Sequence, residues 1–224
     1  MSQDKPKITT ETLDKWQRVV NLISELANVP ATLIMNTVDT SHSVFVTSDT
    51  EKNPYEVGCT FNLNEKLYCY GVLAKDGELL VEDATKNPRW VDNDDLEHDM
   101  TFYIGYPLKW PDGEIFGTIC VLDRRTNKRA LMFRKGLQEF CKVVEDDLAM
   151  LLEVKMHKDT QLKLQQTLQG LEQTIANRTR DLEDANTALR VLLENVETSK
   201  NDIEARILHK LKGWFCLILA NCAI

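Results

Sequence analysis

The sequence predicts an α+β fold, an antiparallel sheet flanked by helices, followed by one long coiled-coil helix. Three observations predict it. Short β-rich runs joined by hairpin turns lie between two amphipathic helical stretches in the first two-thirds of the 224-residue chain. All six prolines and seven of the nine glycines precede residue 146. Beyond that point a proline-free segment rich in Leu, Gln, Glu, Asn and Lys repeats its apolar residues at alternating spacings of four and three.

The elements follow in order. Trp16, Val19, Val20, Ile23, Leu26 and Ala27 form an apolar stripe that predicts a helix from Thr10 to Ala27, capped by Thr9 or Thr10 and stopped by Pro30. ATLIMNTV and HSVFVTS are β-rich and separated by Asp39-Thr40-Ser41, which predicts a hairpin. A loop containing Asn53-Pro54 comes next, then a short helix within NEKLYCYGVLAKDG and a strand within GELLVED. TFYIGYPLKW and EIFGTICVLD form the clearest strand pair. Pro111-Asp112-Gly113 joins them with the residues of a bulged hairpin. The unbroken apolar run ICVL predicts a central strand covered on both faces. After the basic turn Arg124–Arg129, a helix presents Leu131, Phe133, Leu137, Phe140, Val143, Val144 and Leu148 on its apolar side.

From Gln161 onward the register runs Leu164, Leu168, Leu171, Ile175, Arg178, Leu182, Ala185, Leu189, Leu192, Val196, Ser199, Ile203. A lone helix cannot bury so narrow a seam, so the seam predicts a homodimer through a parallel coiled coil. Arg178 and Ser199 are polar seam positions; they either set register and keep the coil marginal, or are tolerated drift. The expected organisation is a flexible N-terminus over 1–9, a sensory domain over 10–155, the coiled-coil helix over 156–211 and an apolar tail over 212–224. The tail KGWFCLILANCAI is open to three readings: a dimer-buried cap, a membrane-contacting tail, or the product of a truncated gene, the last being favoured.

Composition narrows the function. A net charge of −8 argues against a bulk grip on nucleic acid or anionic membranes. The six cysteines include no C-x-x-C pair, and with the four histidines they make no zinc-ligand spacing, so no metal is expected. No secretory signal and no run of ~20 apolar residues is present, which predicts a cytoplasmic protein with reduced thiols and no membrane span. The sequence shows no G-x-S-x-G, P-loop or H-E-x-x-H, and His209 is followed by Lys210 rather than an acidic residue. The acidic pairs Asp94-Asp95 and Asp146-Asp147 read as solvated surface. No catalytic residue is expected, and the chain is read as not an enzyme.

Three segments carry a resemblance: LYCYGVL, LLVEDATKNPRWVDN and FYIGYPLKWPDGEIFGTICVLD. The last two reproduce a DA-x-x-x-PR[FW]-x-x-N block and an FYxGxPL…PDGxxxGTxCVLD hairpin. The region from about residue 10 to 155 resembles a GAF domain. The resemblance implies a six-stranded antiparallel sheet with helices behind it and a small-molecule pocket in front, in a regulatory module that rarely catalyses. RTRDLEDANTALRVLLENVETSKNDIEARIL resembles linkers that precede LuxR-like DNA-binding domains in bacterial regulators.

That family implies a candidate ligand site of Cys69, Asp83, Trp90, Asn93 and Tyr103. An architectural role competes at Asp83 (a turn cap), at Trp90 (packing) and at Asp123 (pairing with Arg124 or Arg125). Tyr103 and Tyr106 differ in strand parity, so only one faces the pocket, and Tyr103 is preferred. The bilin-carrying relatives follow their attaching cysteine with histidine, whereas Cys69 precedes Tyr70. The cyclic-nucleotide signature stops at Asn127-Lys128-Arg129, and the cysteine setting of the free methionine sulfoxide reductases is not matched. His98, the one histidine in the pocket-forming stretch, is read as exposed. Cys69, Cys120 and Cys141 read as core thiols, with Cys120 inert by burial. The cofactor is unknown. The expected function is a ligand-responsive signal-transduction sensor. The alternatives are a non-catalytic dimerisation scaffold with an empty pocket, or a transcription regulator that has lost its DNA-binding domain.

Overall fold

The structure, a computed structural model, describes residues 5–221, with side chains to residue 213. The expected cap appears at the start of α1 (Thr10–Ala27), where Thr9 Oγ1 accepts the Thr12 backbone N–H at 3.2 Å. Its end differs from expectation. Asn28, not Pro30, stops the helix by turning to φ 53°, which lets its N–H close onto the last-turn carbonyls of Ser24 and Glu25. Leu26 is exposed because Ser24 takes the inner face instead, its hydroxyl 2.6 Å from that of Thr32.

Strands β1 (Ala31–Val38) and β2 (Ser41–Thr47) form the predicted hairpin around Asp39-Thr40, with Asp39 at φ 54°. Then come β3 (Thr60–Asn62), α2 (Tyr68–Lys75) and β4 (Leu79–Val81). β3 lies where a loop was expected, because three residues are too few to show an alternating pattern. β5 (Phe102–Lys109) and β6 (Ile115–Asp123) pair through a bulge at Leu108/Lys109, and Gly113 supplies φ 85° in the turn. Helix α3 runs from Lys128 to Asn221. The six strands form one antiparallel sheet in the order β3-β2-β1-β6-β5-β4, which puts β6 near its centre with eight of nine residues buried.

Two cores flank the sheet. Behind it, Ile34, Phe102, Ile104, Leu108, Ile119 and Val121 meet Trp16, Val20 and Ile23 of α1 and Leu137, Val144 and Leu148 of α3. In front, Leu33, Met35, Tyr103, Cys120 and Leu122 meet Tyr68 and Val72 of α2 and Trp90. Cys141 joins the α3 side of the back core, as expected of a core thiol, and Ala130 joins it there. Trp16 stands edge-on to Phe116, with centroids 5.6 Å apart, and its Nε1–H donates to Asp147 Oδ2 at 2.9 Å. Lys15 Nζ holds the other oxygen of Asp147 at 2.6 Å. Asp147 is therefore a tie between α1 and α3 rather than solvated surface: its position on α3 faces the indole N–H of a fully buried tryptophan, which needs an acceptor.

Asp123 accepts the Arg124 backbone N–H at 2.7 Å and the Asn127 amide at 2.7 Å, so it orders the turn into α3 through neighbours other than the expected guanidinium groups. Residues 5–9 lie against the sheet end, where Lys5 pairs with Asp112 and Glu114. The chain divides into two compact units at Lys158/Asp159. In the second, the predicted seam residues Leu164, Leu168, Leu171, Ile175, Leu182, Leu189, Leu192 and Val196 are all at least half exposed. The apolar tail expected over 212–224 falls almost wholly outside the described side chains. Among the described residues no helix is long and apolar enough to cross a membrane, and no cluster of potential ligands fits a metal ion.

Removing the Asp147 carboxylate leaves a buried indole N–H unpaired. Asp147→Ala is expected to cost roughly 1–3 kcal/mol in urea unfolding, whereas Asp146→Ala on the exposed side stays within about 0.5 kcal/mol.

Candidate functional site

The pocket sits on the front face, between β1, β2, β5 and β6 on one side and the α2 segment with the loops on the other. Leu33, Met35, His42, Tyr55, Phe61, Leu67, Cys69, Asp95, Tyr103, Cys120 and Leu122 line it. Its walls leave ≈ 20 Å³ for a water-sized centre, room for about one water molecule.

Strand parity explains the polar members. Along β6, Cys120 and Leu122 face front while Ile119 and Val121 face back. On β5 Tyr103 faces the pocket, and Tyr106 packs in the back core, as the parity argument requires. The ring of Tyr103 lies flat over Gly105, where a Cβ would come within 2.2 Å of its hydroxyl, so only glycine leaves space for it there. His42 enters for a less visible reason. Ile34 pairs with Val46, but the next residue, Met35, pairs with Val44, so Phe45 is an extra residue in β2. That bulge turns Val44 and His42 to the front, while Val46 stays behind. Read with a strict period of two, His42 would share the face of Val46, which is why the sequence reading passed over it.

The polar groups are held closely. Thr37 Oγ1 lies 2.8 Å from His42 Nδ1, while His42 Nε2 is buried without a hydrogen-bond partner. Thr118 Oγ1 donates to Cys69 Sγ at 3.4 Å, and the Tyr103 hydroxyl is 3.6 Å from the same sulfur. The neighbouring Cys120 thiol, with His42 and Thr118, holds the Cys69 thiol well below its ordinary pKa against the opposing effect of burial. Burial pushes the Cys120 thiol well up, and the neighbouring Cys69 adds to that. The two directions are consistent with each other: of the two thiols, Cys69 is the more readily ionised. Burial likewise raises the Tyr103 phenol.

Asp95 also departs from the solvated surface that its sequence predicts: its carboxyl points inward and accepts the Tyr55 hydroxyl at 2.7 Å. Burial pushes its pKa up to about 7, against the stabilising Tyr55 bond. Asp94, its neighbour in the 3₁₀ turn Asp94–His98, is the exposed member of the pair. A 3₁₀ turn rotates consecutive residues by about 120°, so one of two adjacent acids can turn inward. His98 is exposed, its ring 5.6 Å from that of Tyr55.

Of the five expected site residues, the structure places Cys69 and Tyr103 on the pocket wall. The other three support the wall from outside it. Asp83 caps a 3₁₀ turn, accepting the Thr85 backbone N–H at 3.1 Å and pairing with Lys86 at 2.7 Å. Trp90 is buried against Tyr68 (centroids 5.3 Å), which in turn stacks on Tyr103 (4.7 Å). Asn93 accepts the Asp95 backbone N–H at 2.7 Å and donates to the Lys66 carbonyl, which fixes the turn that carries Asp95. His42, Tyr55, Asp95 and Thr118 are the residues that sequence reasoning missed.

The GAF domain family matches residues 12–156. Among solved structures, the phycoerythrobilin-bound GAF domain from a cyanobacterial phytochrome is 13% identical, with a TM-score of 0.54 over 66% of this chain and 90% of that one. The phycocyanobilin-bound GAF domain from a cyanobacterial phytochrome is 13% identical, with a TM-score of 0.52 over 62% and 85%. Free methionine-R-sulfoxide reductase from Neisseria meningitidis is 14% identical, with a TM-score of 0.49 over 61% and 77%. At these identities the likeness is one of fold. No curated protein matches the sequence.

The buried carboxyl gives a pH signature. Asp95 keeps its proton to about pH 7 in the folded chain, against an ordinary value of 3.8, so the folded state binds more protons across that window. Stability is expected to fall by roughly 4 kcal/mol as pH rises through the window and to level off above it. Asp95→Asn should flatten that slope, as read from urea midpoints across the window.

Proposed function

The chain belongs to the GAF domain family, whose members are typical of sensory and signalling proteins, and from that premise we propose that it is a regulatory signal-transduction protein acting as a homodimer. Its GAF domain responds to a small ligand at the front pocket, and a parallel coiled coil over 156–211 relays the response. The observation that carries this reading is helix α3. Between Leu137 and Leu152 its apolar side is buried in the back core, and the same unbroken helix goes on to carry the exposed seam from Leu164 to Ile203. Leu192, Val196 and Ile203 are all more than half exposed on that seam.

Eight large aliphatic side chains in heptad register, left in water, favour burial against an identical stripe. Each contributes on the order of 1.5 kcal/mol or more when fully covered. Relay then requires that the ligand bind differently to two packings of α3, since equal affinity for both shifts nothing. Cys69 and Tyr103, joined by His42, Tyr55 and Asp95, are the ligand-facing residues in this reading. The chemistry is regulatory rather than catalytic, and the setting is cytoplasmic.

A second reading is a dimerisation scaffold whose pocket stays closed. The small volume left between the pocket walls favours it, because an organic ligand enters only if α2 or the Tyr55 and Asp95 loops move.

Light scattering of the purified protein is expected to give twice the chain mass. Leu171→Asp combined with Leu182→Asp should yield monomers whose thermal unfolding retains the GAF transition. A monomeric parent protein at all concentrations overturns the dimer. Native mass spectrometry decides between the readings of the pocket: a retained small molecule supports the sensor, and an empty dimer that no metabolite stabilises supports the scaffold.

A further inference from the structure

The front pocket has two thiols on its wall, Cys69 on the first turn of α2 and Cys120 on the central strand β6, in a cavity otherwise lined mainly by apolar and aromatic side chains. The other described cysteines lie elsewhere: Cys59 is exposed, and Cys141 sits in the back core. Cys69 Sγ accepts the Thr118 hydroxyl at 3.4 Å and has the Tyr103 hydroxyl at 3.6 Å. His42 is buried beside it with Nδ1 engaged by Thr37 and Nε2 unpartnered, an orphaned polar atom in a pocket wall. That nitrogen has no protein partner, and the cavity it borders has room for one small hydrogen-bonding molecule.

Size then selects the reactant. A cavity with ≈ 20 Å³ for a water-sized centre admits water, or hydrogen peroxide, which is one oxygen larger, and excludes organic molecules without rearrangement.

We propose that Cys69 and Cys120 form a peroxide-sensitive dithiol, with His42 as its proton carrier, that closes to a disulfide inside the pocket.

With Nδ1–H donating to Thr37, the lone pair of Nε2 takes the Cys69 proton. The Cys69 sulfur attacks one peroxide oxygen, the S–O bond forms, the O–O bond breaks, and the departing hydroxide collects the proton from His42 to leave as water. Cys69 is then a sulfenic acid. The Cys120 sulfur attacks the Cys69 sulfur, the S–S bond forms, the S–O bond breaks, and the second hydroxide leaves as water with the Cys120 proton. Two thiols are oxidised, one peroxide is reduced, and two waters are released. The division of labour follows the surroundings: Cys69 has the Thr118 hydroxyl donating to its sulfur and the Tyr103 hydroxyl beside it, while Cys120, buried in β6, keeps its proton until the second step. A dithiol reductant restores the pair by exchange. The bond would tie α2 to β6 directly across the pocket, which deepens the sensory reading by naming an input to the same site.

The test uses the reduced full-length chain and hydrogen peroxide near stoichiometry, followed by alkylation under denaturing conditions and peptide mapping. The expected result is a mass loss of about 2 Da and a Cys69–Cys120 linked peptide that disappears on treatment with dithiothreitol. Cys120→Ser is expected to stop at a dimedone-reactive sulfenic acid on Cys69. His42→Gln should slow disulfide formation roughly tenfold, with the reduced protein retaining its thermal transition. The proposal is overturned if Cys59 or the C-terminal cysteines oxidise while both pocket thiols are still alkylated, or if links other than Cys69–Cys120 dominate. The mapping needs no variant to fold, and it is independent of oligomeric state. A monomer that forms this link would sink the dimer and leave the dithiol standing; a dimer with inert pocket thiols would do the reverse.

Discussion

Strand β6 has protein on both of its faces, and the rest of the GAF unit is arranged to meet that constraint. Its even residues, Cys120 and Leu122, need a front cover, and its odd ones, Ile119 and Val121, need a back. Because the period is two, the same nine residues set the identity of both cores at once. α1 and the first turns of α3 cover the back through aliphatic contacts and the Trp16–Asp147 tie. The front is covered more loosely by one short helix and a run of 3₁₀ turns, and this asymmetry is what leaves a pocket there. Loops and short helices bury less apolar area per residue than long ones, so polar groups collect on the front side.

Those polar groups are costly to keep dry unless each finds a partner. Tyr55 satisfies Asp95, Thr37 satisfies one nitrogen of His42, and Thr118 and Tyr103 gather on Cys69. Trp90 and Asn93 take part without touching the cavity, one by stacking behind Tyr68 and the other by fixing the turn that carries Asp95. His42 Nε2 is the buried polar atom of this pocket wall left without a protein partner.

The helix beyond Lys158 obeys a different rule. Inside the GAF unit, α3 has a sheet to bury its apolar side, whereas from Leu164 onward the seam residues are exposed and the intervening positions are charged or amide. One continuous helix, Lys128–Asn221, thus carries both the side buried against the sheet and the exposed seam.

Much of this was legible in the chain itself. Periodicity located α1 to the residue, paired ATLIMNTV with HSVFVTS, and separated the front-facing Tyr103 from Tyr106, because these features depend only on spacing and strand parity. Motif wording identified the family, and the heptad register appeared without any structure. Tertiary contact alone decided the site. The extra residue at Phe45 inverts strand parity ahead of it and delivers His42 to the pocket, an inversion that no spacing rule can detect. Asp95 and Asp147 each sit in an acidic pair that looks solvated, and each is drawn in by a distant partner, Tyr55 or Trp16, whose proximity exists only after folding. Local sequence encodes period and propensity. Which polar group loses its water depends on what arrives from elsewhere in the chain.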